Sequence, residues 1–209
     1  MFPERIETER LTLTPCRPEG VDLAECYRIC SSDPGIEEVT RYVRWSPHET
    51  MMETREFLAA ARDRREAGEA AEYVLRPREG EPDAGEFAGL CGLECDWDRR
   101  TAEIGTWLRK RFWGRGYSAE RAAALVEVAF ADLDLDLVVI ETHADNGASR
   151  RVVERYVDRF GGRREGRLRN HLRFFDGSVH DAVRYTISHE EWEESVDGDV
   201  DDVSFDDMR

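Results

Sequence analysis

The stretch from Thr101 to Thr142 limits the fold more than any other part of the chain. Thr101 to Leu108 reads as a strand, and the basic, glycine-bearing segment Arg109 to Gly116 follows it. Ala119, Ala122, Ala123, Val126, Phe130 and Leu133 then form one apolar stripe of a helix, and Asp136 to Thr142 is a buried strand by its Leu-Val-Val-Ile run. Strand, helix and strand in that order make a βαβ unit, right-handed by default. Its two parallel strands need a larger sheet around them.

The rest of the sequence supplies that sheet. Arg10 to Cys16 alternates apolar and polar residues as a first strand. A helix follows, capped by Asp22, with Leu23, Cys26, Tyr27 and Cys30 on one face; Ser32 to Gly35 ends it. A second helix is expected from Ser46-Pro47-His48-Glu49, which fits a capping box, to about Ala67, with Gly68 as its stop. Ala71 to Arg76 and Glu86 to Asp96 are strand-like, and Asp96 to Arg100 makes a hairpin into Thr101. Asp145-Asn146 caps a helix carrying Val152, Val153, Tyr156 and Phe160, stopped by Gly161-Gly162. Arg163 to Arg169 and Val183 to His189 are two closing strands. The expectation is one α/β (α+β) domain over residues 1–190 with a mixed central sheet. Residues 191–209 are an acidic tail with little to bury, expected to be disordered.

Composition narrows the function. The formal net charge of −16 disfavours nucleic acid and anionic lipid as partners. Lys110 is the sole lysine among 30 basic residues, and with the abundant carboxylates this points to a salt-adapted source. No apolar run approaches the ~18 residues that span a membrane, and Met1 to Arg10 carries no signal-peptide pattern, so the protein is expected in the cytoplasm. Cys16, Cys26, Cys30, Cys91 and Cys95 are an odd set without CxxC spacing; they read as apolar thiols, and no metal site is expected.

The chemistry lies in Trp107-Leu108-Arg109-Lys110-Arg111-Phe112-Trp113-Gly114-Arg115-Gly116-Tyr117. Two glycines one residue apart let several N–H groups turn toward one concavity at a helix N-terminus. Arg109, Lys110, Arg111 and Arg115 surround it, which in so acidic a chain indicates a bound anion, a pyrophosphate above all. A nucleotide P-loop would need Gly-Lys-Ser/Thr, and the lysine is misplaced. Gly114-Arg-Gly116-Tyr-Ser-Ala119 matches a dinucleotide fingerprint, but the basic aromatic stretch intervenes after the strand and too few βαβ units follow.

Arg111-Phe-Trp-Gly114-Arg-Gly116 resembles the acyl-CoA loop, Arg/Gln-x-x-Gly-x-Gly/Ala, of the Gcn5-related N-acetyltransferase (GNAT) superfamily. Ala102 to Leu108 resembles the preceding strand in the ribosomal-protein N-terminal acetyltransferase (RimJ/RimL-like) branch. Asn146-Gly147-Ala148-Ser149 resembles that branch's Asn-x-x-Ser, and Glu9 to Leu13 and the early helices also fit. The resemblance spans residues 5 to about 190 and implies a GNAT fold, its sheet splayed at the acyl-CoA site with helices on both faces.

The resemblance also implies roles. Acetyl-CoA would lie along Trp107, Leu108 and Arg109, with its pyrophosphate on the backbone from Arg111 through Phe112, Trp113, Gly114, Arg115 and Gly116 to Tyr117, near Asn146 and Ser149. The acetyl group would pass to an amine, with a ribosomal or other protein N-terminus as the expected partner; a small amine is the alternative acceptor, and the branch leaves room for a homodimer. The proton-donating tyrosine of many relatives is replaced by Val153, so Ser149 takes that role. Glu103 is the candidate base, with His143 and His171 as alternates, while no glutamate near Leu172 matches the branch. These departures leave a non-catalytic acyl-CoA-binding protein as the rival reading. The arginines Arg159, Arg163, Arg164, Arg167, Arg169 and Arg173 are expected to pair with the chain's own carboxylates rather than with a partner.

Overall fold

The computed structural model describes residues 2–198. One eight-stranded sheet runs through it, with β1 (Ile6–Glu7), β2 (Leu11–Pro15), β3 (Ala70–Pro77), β4 (Gly89–Asp96), β5 (Thr101–Leu108), β6 (Leu137–His143), β7 (Arg163–Arg173) and β8 (Val179–Ser188). The spatial order is β1-β2-β3-β4-β5-β6-β8-β7. Every pairing is antiparallel except β5 with β6, the parallel pair of the βαβ unit.

Helices cover both faces. On one lie α1 (Leu23–Ser32), the short α2 (Ile36–Thr40) and α3 (Met51–Glu66). Their apolar side chains Cys26, Ile29, Cys30 and Leu58 pack with Val74, Phe87 and Leu90 of the β3–β4 region. On the other lie α4 (Tyr117–Glu127), which runs on as a π-turn over Val128–Asp132, and α5 (Gly147–Arg159). Ala122, Leu125, Val153, Tyr156 and Val157 meet Tyr73, Leu93, Ile104, Val138 and Tyr185 there. Such two-sided burial explains why β3 and β4 read as near-continuous apolar runs. All five cysteines are free thiols, and four are buried.

Three expectations change. Helix α3 starts one turn later than expected, because the working capping box is Thr50 with Glu53: Glu53 N–H donates to Thr50 Oγ1 (3.3 Å) and Thr50 Oγ1 donates to Glu53 Oε1 (3.1 Å). Residues 41–48 stay non-helical; His48 N–H donates to Cys30 O (3.1 Å), and Trp45 packs on Trp107 with ring centroids 5.1 Å apart. The closing hairpin is longer than its sequence pattern, since the outer edge strand β7 is largely exposed on both faces and shows no apolar alternation.

The acidic segment from 191 is not disordered at its start. A final helix, α6, covers His189–Gly198. Ser188 and Glu191 cap it reciprocally, and Trp192 packs on Phe130 at 5.5 Å between ring centroids. Residues 199–209, the remainder of the expected tail, lie outside the described residues.

Candidate active site

The sheet is split at its centre. Strand β5 pairs with β4 along its whole length, from Thr101–Asp96 to Leu108–Gly89, but with β6 only where Thr101, Ala102 and Glu103 face Leu137, Val138 and Val139. Beyond Val139, β6 continues against β8 as far as His143. Both strands therefore leave the pair with one open edge. Arg109 N–H donates to Ala88 O on the β4 side (2.9 Å), so by strand alternation the N–H groups of Thr106 and Leu108 face the gap. The Leu108 carbonyl accepts the Trp113 indole N–H (2.8 Å), tying the loop to the strand end.

The loop then presents backbone rather than side chains. Gly114 and Gly116 take left-handed φ values of 76° and 79°, and Gly116 caps α4. Among the described residues, no protein acceptor takes the N–H groups of Gly114, Arg115, Gly116, Tyr117 or Ser118. Five consecutive open donors at a helix N-terminus suit an anion.

The expected cradle of free basic side chains does not form. Arg109 is buried and donates to Asp33 through Nε (2.9 Å) and Nη2 (2.7 Å). Lys110 pairs with Glu38, Arg111 with Asp83 and Glu86, and Arg115 with Asp83. Phe112 is fully buried beneath the loop. Arg109 and Phe112, both expected to contact a cofactor, thus turn their side chains into the protein. Each cation gains from an intramolecular carboxylate that the local sequence does not reveal.

On the α2–α3 side of the gap lies an open cavity of about 450 Å³. Trp45, Phe57, Trp107 and Phe174 give it apolar walls, and Glu72, Glu94, Glu103 and Glu141 lie in it on four successive strands. Glu94 and Glu103 stand directly opposite each other, a like-charge pairing that costs stability unless cations intervene. Arg64 bridges Glu72 and Glu94. Arg44 reaches Glu103 (3.8 Å) and Glu141 (3.5 Å). Loss of hydration raises the Glu103 pKa above the ordinary carboxylate range, and Glu141 adds to the rise while Arg44 opposes it.

Glu141 was not singled out by sequence reasoning. Its side chain is 2% exposed and held by Arg184 (2.7 Å) and His171 (2.9 Å); the signal was a lone charge inside the apolar run of β6. His171 is committed to this contact. His143 is buried with Nδ1 accepting the Asp145 N–H (3.1 Å), an arrangement that assigns the neutral ring's proton to Nε2. Burial, and then His180, lowers its pKa. With no free lone pair, His143 is a poor base.

Asn146 and Ser149 line the same cavity. Asn146 Oδ1 accepts the Ser149 N–H (3.1 Å) and so caps α5. The Ser149 hydroxyl has no hydrogen-bond partner among the described residues. Val153 and Tyr156 are buried in the core, the latter with its hydroxyl unpaired. In the arginine cluster, Arg163 pairs with Glu191 and Arg167 with Asp181. No helix among the described residues is long and apolar enough to cross a membrane.

Comparison with known proteins agrees with this architecture. The profile of the family described as "Acetyltransferase (GNAT) domain" matches residues 10–156. The chain is 28% identical over 171 residues to "Uncharacterized N-acetyltransferase p20" of Bacillus licheniformis, covering 80% of this chain and 87% of that protein. It is 37% identical over 108 residues to "Putative ribosomal N-acetyltransferase YdaF" of Bacillus subtilis (strain 168), covering 50% and 56%. The crystal structure of a putative acetyltransferase from T. thermophilus superposes with a TM-score of 0.72 at 28% identity, covering 93% of this chain and 94% of that one.

Proposed function

This chain belongs to the GNAT acetyltransferase family, and on that footing we propose that it moves the acetyl group of acetyl-CoA onto a protein N-terminal α-amine by direct attack in a ternary complex. The observation that carries the reading is the split between β5 and β6, which ends at the open N–H groups of Gly114 to Ser118. An acyl-pantetheine arm is a chain of amides, and an open strand edge satisfies amides. A pyrophosphate is a compact anion, and the loop supplies donors and a helix dipole for it.

The chemistry follows from that placement. The amine lone pair attacks the thioester carbonyl carbon, forming the C–N bond and moving charge onto the carbonyl oxygen. The Leu108 N–H faces the gap and is the candidate donor to that oxygen. As the intermediate collapses, the C–S bond breaks, and the Ser149 hydroxyl hydrogen-bonds the departing sulfur or gives it a proton. Glu103 lies five residues back along β5 from Leu108 and accepts the proton lost by the amine through water. Its raised pKa makes it a better base once ionised. Holding amine and thioester side by side supplies much of the remaining rate.

Two considerations support an α-amine acceptor. An α-amine has a pKa of ~7.7–8.0 against ~10.4 for lysine, so it needs less help than one carboxylate must give a lysine. The Bacillus subtilis relative is named a putative ribosomal N-acetyltransferase, which fits a protein acceptor. The test is a panel of peptides with free or blocked N-termini, incubated with acetyl-CoA while free thiol and peptide mass are followed. Acetylation confined to free α-amines supports the reading, and transfer to lysine alone or to small amines alone refutes the acceptor assignment.

A further inference from the structure

The arginines of the loop are held by a segment far away in sequence. The turn between β3 and β4 carries Glu81, Asp83 and Glu86. Asp83 Oδ1 lies 2.5 Å from Arg111 Nη2, and its Oδ2 lies 2.8 Å from Arg115 Nη2. One carboxylate therefore spans both cations. Glu86 adds a 3.0 Å contact to Arg111 Nη1, and Tyr117 Oη donates to Glu81 Oε2 (2.8 Å). We propose that Asp83 is a built-in competitor of the cofactor's phosphates: its carboxylate occupies Arg111 and Arg115, and releasing them limits the affinity for acetyl-CoA.

The proposal rests on the assignment of this loop to acetyl-CoA. The other role for Asp83 would be a strut that shapes the loop, but the loop has independent supports. Phe112 is fully buried, and the guanidinium groups of Arg111 and Arg115 lie over its ring at 5.0 and 4.8 Å. Phe112 and Trp113 N–H groups donate to Arg109 and Lys110 carbonyls, and Trp113 Nε1 donates to Leu108 O. Arg10 Nη1 donates to Arg115 O (3.0 Å) while Arg10 itself is paired with the buried Glu120. None of these contacts needs the charge of Asp83. What that charge does alone is neutralise two guanidinium groups that would otherwise face an incoming anion.

Asp83 also adopts a left-handed φ of 60°, where asparagine and glycine fit at least as well as aspartate. The adjacent guanidinium groups, Arg115 first, hold its carboxyl below the ordinary range. The competitor is thus charged at any pH near neutral, and salt rather than protonation weakens it.

The decisive experiment is calorimetric titration of acetyl-CoA into the wild-type protein and Asp83→Asn, from 0.05 to 2 M KCl. The expected result is a roughly three- to tenfold lower Kd for Asp83→Asn at low salt, with a steeper salt dependence and convergence in high salt. The gain should vanish when Arg111→Gln and Arg115→Gln are added. Unchanged or weaker binding by a variant that melts like wild type overturns the proposal in favour of a strut. If Asp83→Asn melts lower, Asp83→Gly, which relieves the left-handed backbone, is judged by the same criterion. Failure of the wild-type protein to bind acetyl-CoA at all would overturn the loop assignment and, with it, the role of Asp83.

Discussion

The two halves of the site are built from different materials. The half proposed to hold the cofactor is backbone: an open strand edge, two left-handed glycines and five N–H groups without a partner among the described residues, with its cations committed to Asp33, Glu38, Asp83 and Glu86. The half proposed to receive the acceptor is side chains: four glutamates drawn from β3, β4, β5 and β6, bridged by Arg44 and Arg64 and walled by aromatic rings. Backbone recognition depends on shape and tolerates drift of the surrounding side chains. Side-chain recognition sets protonation and selectivity. Changes in the first half should therefore move acetyl-CoA affinity, and changes in the second should move turnover and its pH dependence.

The largest effect expected is on Glu103. Glu103→Gln should lower kcat by about 10² or more, with acetyl-CoA affinity close to wild type. The wild-type kcat should rise with pH through a raised carboxylate pKa, because the base works only when deprotonated, and partial loss of hydration with the nearby Glu141 holds its proton on longer. That limb should disappear in the variant. An unchanged pH–rate profile would break the division between the halves.

Gly116→Val should come next, with its effect on the opposite parameter. At φ 79° a β-branched residue is strained, and a Cβ there would meet Arg10 Nη2 at 3.0 Å. Acetyl-CoA affinity should fall about tenfold or more, since strain of ~1–2 kcal/mol and a displaced donor act together. Calorimetry on the folded variant reads this directly.

Ser149→Ala sits where the halves meet, and its effect should be smaller. Turnover should fall about fivefold to tenfold with little change in acetyl-CoA affinity, because the hydroxyl matters most as charge develops on sulfur. Equal turnover would leave Ser149 with only its backbone part in the α5 cap.

The mildest expectation concerns both halves equally. With 46 acidic against 30 basic side chains, the folded chain repels itself most when the Debye length is ~30 Å, at 0.01 M salt, and least when it is ~3 Å, at 1 M. The melting temperature should rise with KCl. A flat response would detach the charge composition from salt adaptation.

The contrast also explains what the sequence could and could not disclose. The βαβ unit, Gly114, Gly116 and Asn146 carry local signals, because a turn, a left-handed backbone or a cap is dictated by a residue and its neighbours. The bridging of Arg111 and Arg115 by Asp83, and the buried pair of Arg109 with Asp33, join residues far apart in the chain, so four local cations looked free. Glu94 and Glu141 become neighbours of Glu103 only after strand register is set. The start of α3 was ambiguous for another reason: Ser46–Glu49 and Thr50–Glu53 fit the same capping pattern, and tertiary contacts of residues 45–48 chose the second. Helix α6 needed Trp192 against Phe130 to overcome its acidic composition.

Mass spectrometry of a peptide incubated with the protein and acetyl-CoA, with thiol release followed in parallel and in high KCl, probes both halves at once. The expected outcome is one free thiol for each acetyl group gained on a free N-terminal α-amine, and no transfer when that amine is blocked. Tight binding of acetyl-CoA without thiol release above the protein-free rate, for any amine in the panel, would mean that the split sheet holds a ligand but performs no transfer.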